Sequence, residues 1–179
     1  IFFGVFYITE RQYSIDRMAE FASIAMKNAK VNNEGIISFF DEVARGRLLE
    51  EEEIERSMNA ALMNEEFRVF LQPKYSAREE IISGAEALVR WYNNKGKIVP
   101  PGYFIPVFEK NGFITELDLY MIRKVCEVIR GWLDKGYEPL PISVNISRLH
   151  FADPNLADVI NHLVDRYGVP HHLIELELT

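Results

Sequence analysis

One segment of the sequence, 83–91 (SGAEALVRW), places an acid and an arginine on the same side of an apolar β-strand. Because successive side chains of a strand point to opposite faces, Glu86, Leu88 and Arg90 share one face, and the other face is wholly apolar. Charged groups are costly to bury unless each has a partner. Taken alone, the segment is best interpreted as a surface strand whose polar face meets water.

Two later strands repeat this division into an apolar and a polar face. The polar positions include Asn145 in the segment 142–147 (ISVNIS) and Glu175 and Glu177 in the segment 173–179 (LIELELT). Parallel strands covered by helices in an open sheet are usually apolar on both faces. A closed barrel, with helices outside and a functional centre inside, explains the polar faces. The alternative is an antiparallel sheet wetted on one side, which the intervening helices disfavour.

The polar side chains of these strands have the chemistry of a divalent-cation site. Glu86, Asn145 and Glu177 lie near the ends of three strands, and their oxygens suit Mg²⁺ or Mn²⁺ rather than zinc or copper. Two such ions can hold the attacking and leaving oxygens of a phosphodiester. Arg90 carries a guanidinium suited to a phosphate oxygen. The spacing is not specific, because acids and amides at strand ends are also common where only solubility is required.

Two further polar residues each allow two interpretations. Gln72 either faces the barrel interior and contacts a ligand, or satisfies backbone groups. Glu175 either supports the metal ligands or pairs with a lysine on the barrel floor. The four histidines have no ligand spacing with the cysteine or with one another, and we assign none of them to a metal.

The composition narrows the class of protein. With 48% hydrophobic residues the chain can bury a sizeable core. A net charge of −7 and a pI of about 5.2 argue against a nucleic-acid polymer as partner, but not against a small anionic ligand. The single cysteine, Cys126, rules out an internal disulfide and fits a core position in a cytoplasmic protein. The apolar run 1–8 is too short to span a membrane.

The spacing of apolar residues predicts strands that alternate with helices. The predicted order is a strand at 1–8, a turn at 9–14, a helix at 15–30, a turn at 31–35, a strand at 36–40, a charged helical linker at 42–65, a hairpin of strands at 67–75 and 80–91, helices at 103–110 and 116–135, a strand at 140–147, a helix at 155–167 and a strand at 173–179. This alternation is typical of an α/β fold with parallel strands wrapped by helices.

Several segments together resemble the EAL domain family of cyclic-di-GMP phosphodiesterases. They are GAEALVRW (84–91), LQPKY (71–75), PPGYFIPVFEKNGFI (100–114), ISVNISRLHF (142–151) and LIELELT (173–179). Their order and spacing match those of the family over about residues 55 to 179. The resemblance implies a TIM-like (β/α) barrel whose first strand is antiparallel to the others.

The resemblance also implies an activity and a set of roles. The activity is hydrolysis of cyclic-di-GMP to pGpG with two Mg²⁺ or Mn²⁺ ions, in bacterial second-messenger signalling. By motif position Glu86, Asn145 and Glu177 correspond to metal ligands, and Arg90 to the arginine that binds the substrate phosphate. Gln72 and Leu88 match positions lining the ligand site. The resemblance is compatible with a homodimer formed through the EAL domain.

The segments before the linker resemble the C-terminal end of a GGDEF domain, the diguanylate cyclase fold. The matching pieces are FFGVFYI (2–8), FASIAMKNAK (21–30) and ISFFDE (37–42), with Ser23 where the family commonly has an acid. We therefore predict three regions: 1–41 as the end of a GGDEF-like domain, 42–65 as the linker, and 66–179 as the N-terminal half of an EAL domain.

The family pattern continues beyond Thr179, with a glutamate, an aspartate pair, a lysine and a further glutamate. We therefore expect the sequence to be a piece of a longer protein, and the piece itself to be inactive. The alternative function is a catalytically silent cyclic-di-GMP receptor, which the intact Glu86 and Arg90 slightly disfavour. A purely structural or dimerisation segment is a third hypothesis, and it predicts no protection of the parent protein by ligand.

Overall fold

The chain forms two compact units, Ile1–Ile54 and Glu55–Thr179. The computed structural model describes residues 1–8, 13–32, 36–40, 42–94 and 96–179. Most of the turn predicted at 9–14, and residues 33–35 of the turn predicted at 31–35, lie outside the described residues. None of the helices described for the chain is long and apolar enough to cross a lipid bilayer.

The first unit contains a parallel pair of short strands with a helix between them. Strand β1 (Phe3–Val5) pairs with β2 (Ile37–Phe39), and helix α1 (Ile15–Asn32) connects them. Phe21 and Ala25 of α1 are buried together with Phe40, which follows β2. The strand–helix–strand arrangement that the sequence predicts is therefore present.

Helix α2 (Glu42–Met63) is the predicted linker helix, and the division between the two units falls within it. Helix α2 contains a run of four glutamates at 50–53. Arg17 of α1 donates to Glu52 of this run, and also to Glu20 of its own helix at 2.8 Å. The hydrogen bond to Glu52 raises the pKa of Arg17 more than any other contact does. The Glu52 carboxylate therefore has a cationic partner within the first unit.

The second unit is built on one sheet. Its elements are strands β3 (Phe67–Ser76), β4 (Ile81–Tyr92), β5 (Ile98–Val99), β6 (Ile142–Ile146) and β7 (Ile174–Leu178), helices α3 (Pro101–Asn111), α4 (Ile114–Leu133) and α5 (Leu156–Arg166), and short 3₁₀ helices at Arg148–Ala152 and His171–Leu173. The main strand order is β3-β4-β6-β7. Strand β3 is antiparallel to β4, whereas β4, β6 and β7 are parallel. The antiparallel first strand confirms the predicted fold class.

The helix-covered face of β4 is anchored by an aromatic cluster. Trp91 is only 2% exposed and its ring centroid lies 5.1 Å from that of Phe67 and 5.5 Å from that of Phe104 in α3. The indole N–H of Trp91 donates to Glu66 at 2.9 Å, so the one polar atom of the ring is satisfied. These contacts bury the apolar face that the alternation in 83–91 predicts.

Helix α4 supplies much of the remaining core. Leu117, Ile122 and Val125 are all buried on one side of it, as its apolar spacing predicts. Cys126 is fully buried in the same helix, which confirms its prediction as a core residue. Burial raises the pKa of the Cys126 thiol to about 11, so the thiol is protonated at neutral pH.

The sheet of the second unit is open and curved. Its outer strands are β3 and β7, and a flat sheet would place strands three spacings apart at roughly 14 Å. The ammonium of Lys74 on β3 nevertheless lies 2.5 Å from the Glu177 carboxylate on β7. The two side chains can meet only because the sheet curves, with their shared face on its concave side. This is a partial TIM-like barrel with a polar interior.

Gly84 allows the close approach of β4 to the start of β6. The Ala85 N–H donates to the Pro141 carbonyl at 3.0 Å, and a Cβ added to Gly84 would lie 2.7 Å from that same oxygen. A methyl group at this position therefore forces the two strands apart.

We expect the Gly84→Ala substitution to destabilise the second unit by about 1–3 kcal/mol, the usual cost of overpacking. A matched control is Gly131→Ala in α4, where nothing lies within 4 Å of the added Cβ. Because alanine favours helix over glycine, that control should stabilise by about 0.5–1 kcal/mol. Urea unfolding followed by circular dichroism measures both, and equal effects of the two substitutions would contradict the close-approach argument.

Candidate active site

The concave face brings the three predicted metal ligands onto neighbouring strands. Glu86 lies on β4, Asn145 on β6 and Glu177 on β7. The Asn145 amide N–H donates to the Glu86 carboxylate at 2.8 Å. Asn145 and Glu177 are direct partners in the register of β6 and β7. Residues separated by up to 91 positions in sequence therefore line one surface.

The chemistry of this donor set fits a hard divalent cation. The NH₂ group of Asn145 donates the hydrogen bond to Glu86, so its carbonyl oxygen remains available to bind a cation. Two carboxylates and one amide oxygen are ligands that Mg²⁺ and Mn²⁺ accept. Across the part of the chain that the structure describes, no group of three or more His, Cys, Asp or Glu side chains could hold a metal ion. The described residues therefore offer at most part of a coordination shell.

Lys74 forms an ion pair with the Glu177 carboxylate. Its ammonium lies 2.5 Å from a Glu177 oxygen and 3.5 Å from a Glu175 oxygen. The hydrogen bond from Lys74, followed by one from the Ser143 hydroxyl, holds the pKa of Glu177 below its usual value. In turn Glu177 raises the pKa of Lys74. The lysine contact of Glu175 matches one of the two interpretations considered for that residue, whereas the contact with Glu177 was not predicted.

Arg90 lies on the concave face, where its guanidinium contacts a backbone carbonyl and an aromatic ring. One guanidinium N–H donates to the Val89 carbonyl at 2.8 Å, and the guanidinium carbon lies 5.9 Å from the centre of the Phe70 ring. Among the residues that the structure describes, no carboxylate forms an ion pair with Arg90. The remaining N–H groups of its planar fork can therefore bind an anion.

The two other predicted ligand contacts lie beside these groups. Gln72 on β3 is the register partner of Glu86, and its side chain is exposed on the concave face. Leu88 lies between Glu86 and Arg90 on the same face of β4 and is half-buried. Gln72 and Leu88 therefore both lie beside Glu86 on the concave face.

A cavity opens at the carboxyl ends of β4 and β6. Its volume is about 270 Å³, and it is lined by α3 and α4 as well as by the strands. Arg90, Asn145, Asp118 and Thr179 reach it, whereas Glu86 and Glu177 do not. Ligand sites of parallel α/β sheets typically form at this end of the strands. Arg90 and Asn145 therefore border a cavity that is mostly apolar and that extends toward the helices.

Asp118 is a buried site residue that the sequence analysis did not single out. Its carboxylate accepts the Ser147 backbone N–H at 2.8 Å and lies 3.2 Å from the His150 ring nitrogen Nε2. Burial is the main cause that raises the pKa of Asp118, and the hydrogen bond from Ser147 opposes it. Asp118 therefore fixes the chain just after Asn145.

A sequence signal for Asp118 exists. It lies four residues after Ile114 and four before Ile122, which places it on the buried stripe of α4. An acid on an apolar helix face requires a partner, because an unpaired buried carboxylate is costly.

The fold and the polar concave face define a member of the EAL domain family. The family model described as "EAL domain" matches residues 55–179, which is most of the chain. The chain therefore belongs to the EAL domain family.

Individual relatives agree with this assignment. "Signaling protein YkoW" of Bacillus subtilis is 32% identical over 158 residues, covering 88% of this chain and 20% of the relative. The "bifunctional diguanylate cyclase/cyclic di-GMP phosphodiesterase MucR" of Pseudomonas aeruginosa is 32% identical over 159 residues, covering 88% of this chain and 23% of the relative. The chain thus spans about a fifth of the length of these curated relatives.

A solved structure extends the comparison to the fold. The PaMucR phosphodiesterase in its c-di-GMP complex matches with a TM-score of 0.63 and 30% identity, covering 69% of this chain and 50% of that chain. The matched part is an α/β fold with a mostly parallel central sheet, as in the second unit.

Proposed function

We propose that the full-length protein is a cyclic-di-GMP phosphodiesterase that hydrolyses its substrate to pGpG in bacterial second-messenger signalling. The observation that carries the proposal is the concave face. There Glu86 is hydrogen-bonded to Asn145 at 2.8 Å, Glu177 lies on the next strand, and Arg90 has no ion-pair partner among the described residues. This face combines oxygen ligands for cations with a cationic group for a phosphate. The c-di-GMP complex of the relative MucR supports the choice of substrate.

Glu86, Asn145 and Glu177 are proposed to hold two Mg²⁺ or Mn²⁺ ions together with further ligands. Bound ions supply a water of lowered pKa and neutralise charge on the phosphodiester. The protein's part is to keep its oxygens aimed at one point, and the hydrogen bond between Asn145 and Glu86 restricts both side chains. Asp118 holds the chain after Asn145 through the Ser147 N–H at 2.8 Å, which keeps that end of β6 in place.

Arg90, Leu88 and Gln72 are proposed to bind the dinucleotide. The guanidinium of Arg90 pairs with a substrate phosphate, since its fork matches two phosphate oxygens. Leu88 gives an apolar contact and Gln72 a hydrogen-bonding group beside Glu86.

Incubation of the full-length protein with cyclic-di-GMP and Mn²⁺, with chromatography of the products, tests the proposal. The expected result is pGpG formation that stops when a chelator removes the metal. Tight binding of cyclic-di-GMP without turnover would overturn the phosphodiesterase assignment.

A catalytically silent cyclic-di-GMP receptor is the second candidate function. The ion pair between Lys74 and Glu177 at 2.5 Å favours it, because a candidate metal ligand is already neutralised by the protein's own cation. The same assay distinguishes the two functions. A receptor binds cyclic-di-GMP with equal affinity in the presence and absence of metal and releases no pGpG.

The proposal also covers the regions around the site and the location of the protein. Residues 1–41 are proposed to be the end of a GGDEF-like domain, and the parallel strands β1 and β2 with α1 between them support this. The proposal also includes a cytoplasmic location and a homodimer formed through the EAL domain. Residues 1–179 by themselves are proposed to be inactive, because the donors described here, Glu86, Asn145 and Glu177, are too few for two ions.

A further inference from the structure

Lys74 connects the two outer strands of the second unit across its concave face. It lies on β3, whereas both carboxylates that it contacts, Glu175 and Glu177, lie on β7. Its ammonium is 2.5 Å from Glu177 and 3.5 Å from Glu175. These two acids are two residues apart and therefore point to the same side of the strand. The Lys74 ammonium can therefore pair with either carboxylate.

The charges on the concave face explain why a cation is required there. Glu86, Glu175 and Glu177 place three carboxylates on neighbouring strands of one curved surface. Like charges at this spacing repel one another. Lys74 compensates Glu177, and the Asn145 amide donates to Glu86. Both members of the Lys74–Glu177 pair remain partly exposed, with 35% and 42% of their side chains accessible, so the pair can separate.

We propose that Lys74 is an internal counter-ion that occupies the Glu177 carboxylate until a divalent cation binds, and that it then pairs with Glu175. This inference rests on the proposed function, in which Glu177 is a metal ligand. Lys74 and the metal ion then compete for the same carboxylate. Glu175 lowers the cost of displacing the lysine, because it offers a second acceptor within 3.5 Å. Lys74 thereby sets the metal affinity of the site without being a ligand.

The first test measures Mn²⁺ binding by isothermal titration calorimetry with the full-length protein and its Lys74→Met variant. The expected result is Mn²⁺ binding about three- to tenfold tighter in the variant, because a competing, partly exposed positive charge has been removed. Lys74→Arg keeps the charge and should bind Mn²⁺ like the wild type. Lys135→Met removes an exposed lysine in the turn after α4 and should also leave the affinity unchanged.

The second test adds Glu175→Gln in both backgrounds. In the wild type this change removes the alternative partner of Lys74, so we expect Mn²⁺ binding to weaken. In the Lys74→Met background the same change should have a smaller effect, because no lysine has to be accommodated. The effects of the two substitutions on Mn²⁺ affinity are then not additive. Non-additive effects indicate that Lys74 moves to Glu175 when the metal binds, whereas a general loss of negative charge near the site would give additive effects.

The outcomes separate this inference from the proposed function. Unchanged or weaker Mn²⁺ binding by Lys74→Met, in a protein whose wild type binds Mn²⁺, overturns the role of Lys74 and leaves the phosphodiesterase proposal intact. If neither the wild type nor the variant binds Mn²⁺, both are overturned. Additive effects of Lys74→Met and Glu175→Gln overturn the transfer to Glu175.

Discussion

Replacing Glu86 by glutamine should reduce the proposed cyclic-di-GMP hydrolysis of the full-length protein roughly 100-fold or more. Mutation of a residue that only supports a metal ligand already lowers activity or metal affinity about 10–100-fold. Glutamine has nearly the size of glutamate, and its carbonyl oxygen can still accept the Asn145 amide N–H, which now donates at 2.8 Å. The substitution therefore removes one negative charge from the proposed metal site and little else. The measurement is kcat/KM for pGpG release at saturating Mn²⁺.

The matched control is Glu79→Gln, the same chemical change in the exposed turn between β3 and β4. It should retain wild-type activity. Circular dichroism of both variants should match the wild type, since Glu86 contributes no contact to the helix-covered core. If Glu86→Gln keeps more than about a tenth of the activity, the assignment of Glu86 as a metal ligand is wrong.

Truncation of Trp91 to alanine should cost the second unit about 3–5 kcal/mol of its free energy of unfolding. Trp91 is 2% exposed, and its ring packs against Phe67, Phe104 and Phe108 at centroid distances of 5.1, 5.5 and 6.1 Å. The truncation leaves a cavity among these rings and removes the donor to Glu66. Because domains are stable by only about 5–15 kcal/mol, the loss is a large share of the total.

Trp132→Ala provides the comparison, since the chain has two tryptophans and Trp132 is half-buried beside an open cavity. Its truncation should cost clearly less than that of Trp91. Shifts of the urea midpoint, followed by far-UV circular dichroism, measure both. Equal midpoint shifts would contradict the view that the aromatic cluster around Trp91 anchors the sheet to α3.

Much of the fold could be predicted because its signals are local. The alternation in 83–91 and the helical spacing in α4 each arise within a single element, and both elements are present close to their predicted bounds. The short strand β5 and the two 3₁₀ helices were not predicted. They comprise only 2 to 5 residues, too few for a period to appear in the sequence.

The site was harder to predict because its contacts are between distant elements. The ion pair of Lys74 with Glu177 joins residues 103 positions apart, and nothing in the polarity of β3 selects that partner. The contact depends on the curvature of a sheet with two strands between them. Asp118 is different, because its place on the buried stripe of α4 was visible in the sequence and only its partner, the Ser147 N–H, required the structure.

The two faces of β4 have a consequence for how this kind of domain can evolve. Glu86 and Arg90 contact neighbouring polar groups, whereas Ala87 and Trp91 are buried against the rest of the unit. Because neither set depends on the other for packing, a lineage can change a residue of the polar face without passing through an unstable ancestor. A substitution at Glu86 or Arg90 would therefore remove a charged group while the packing of β4 against the helices stays intact.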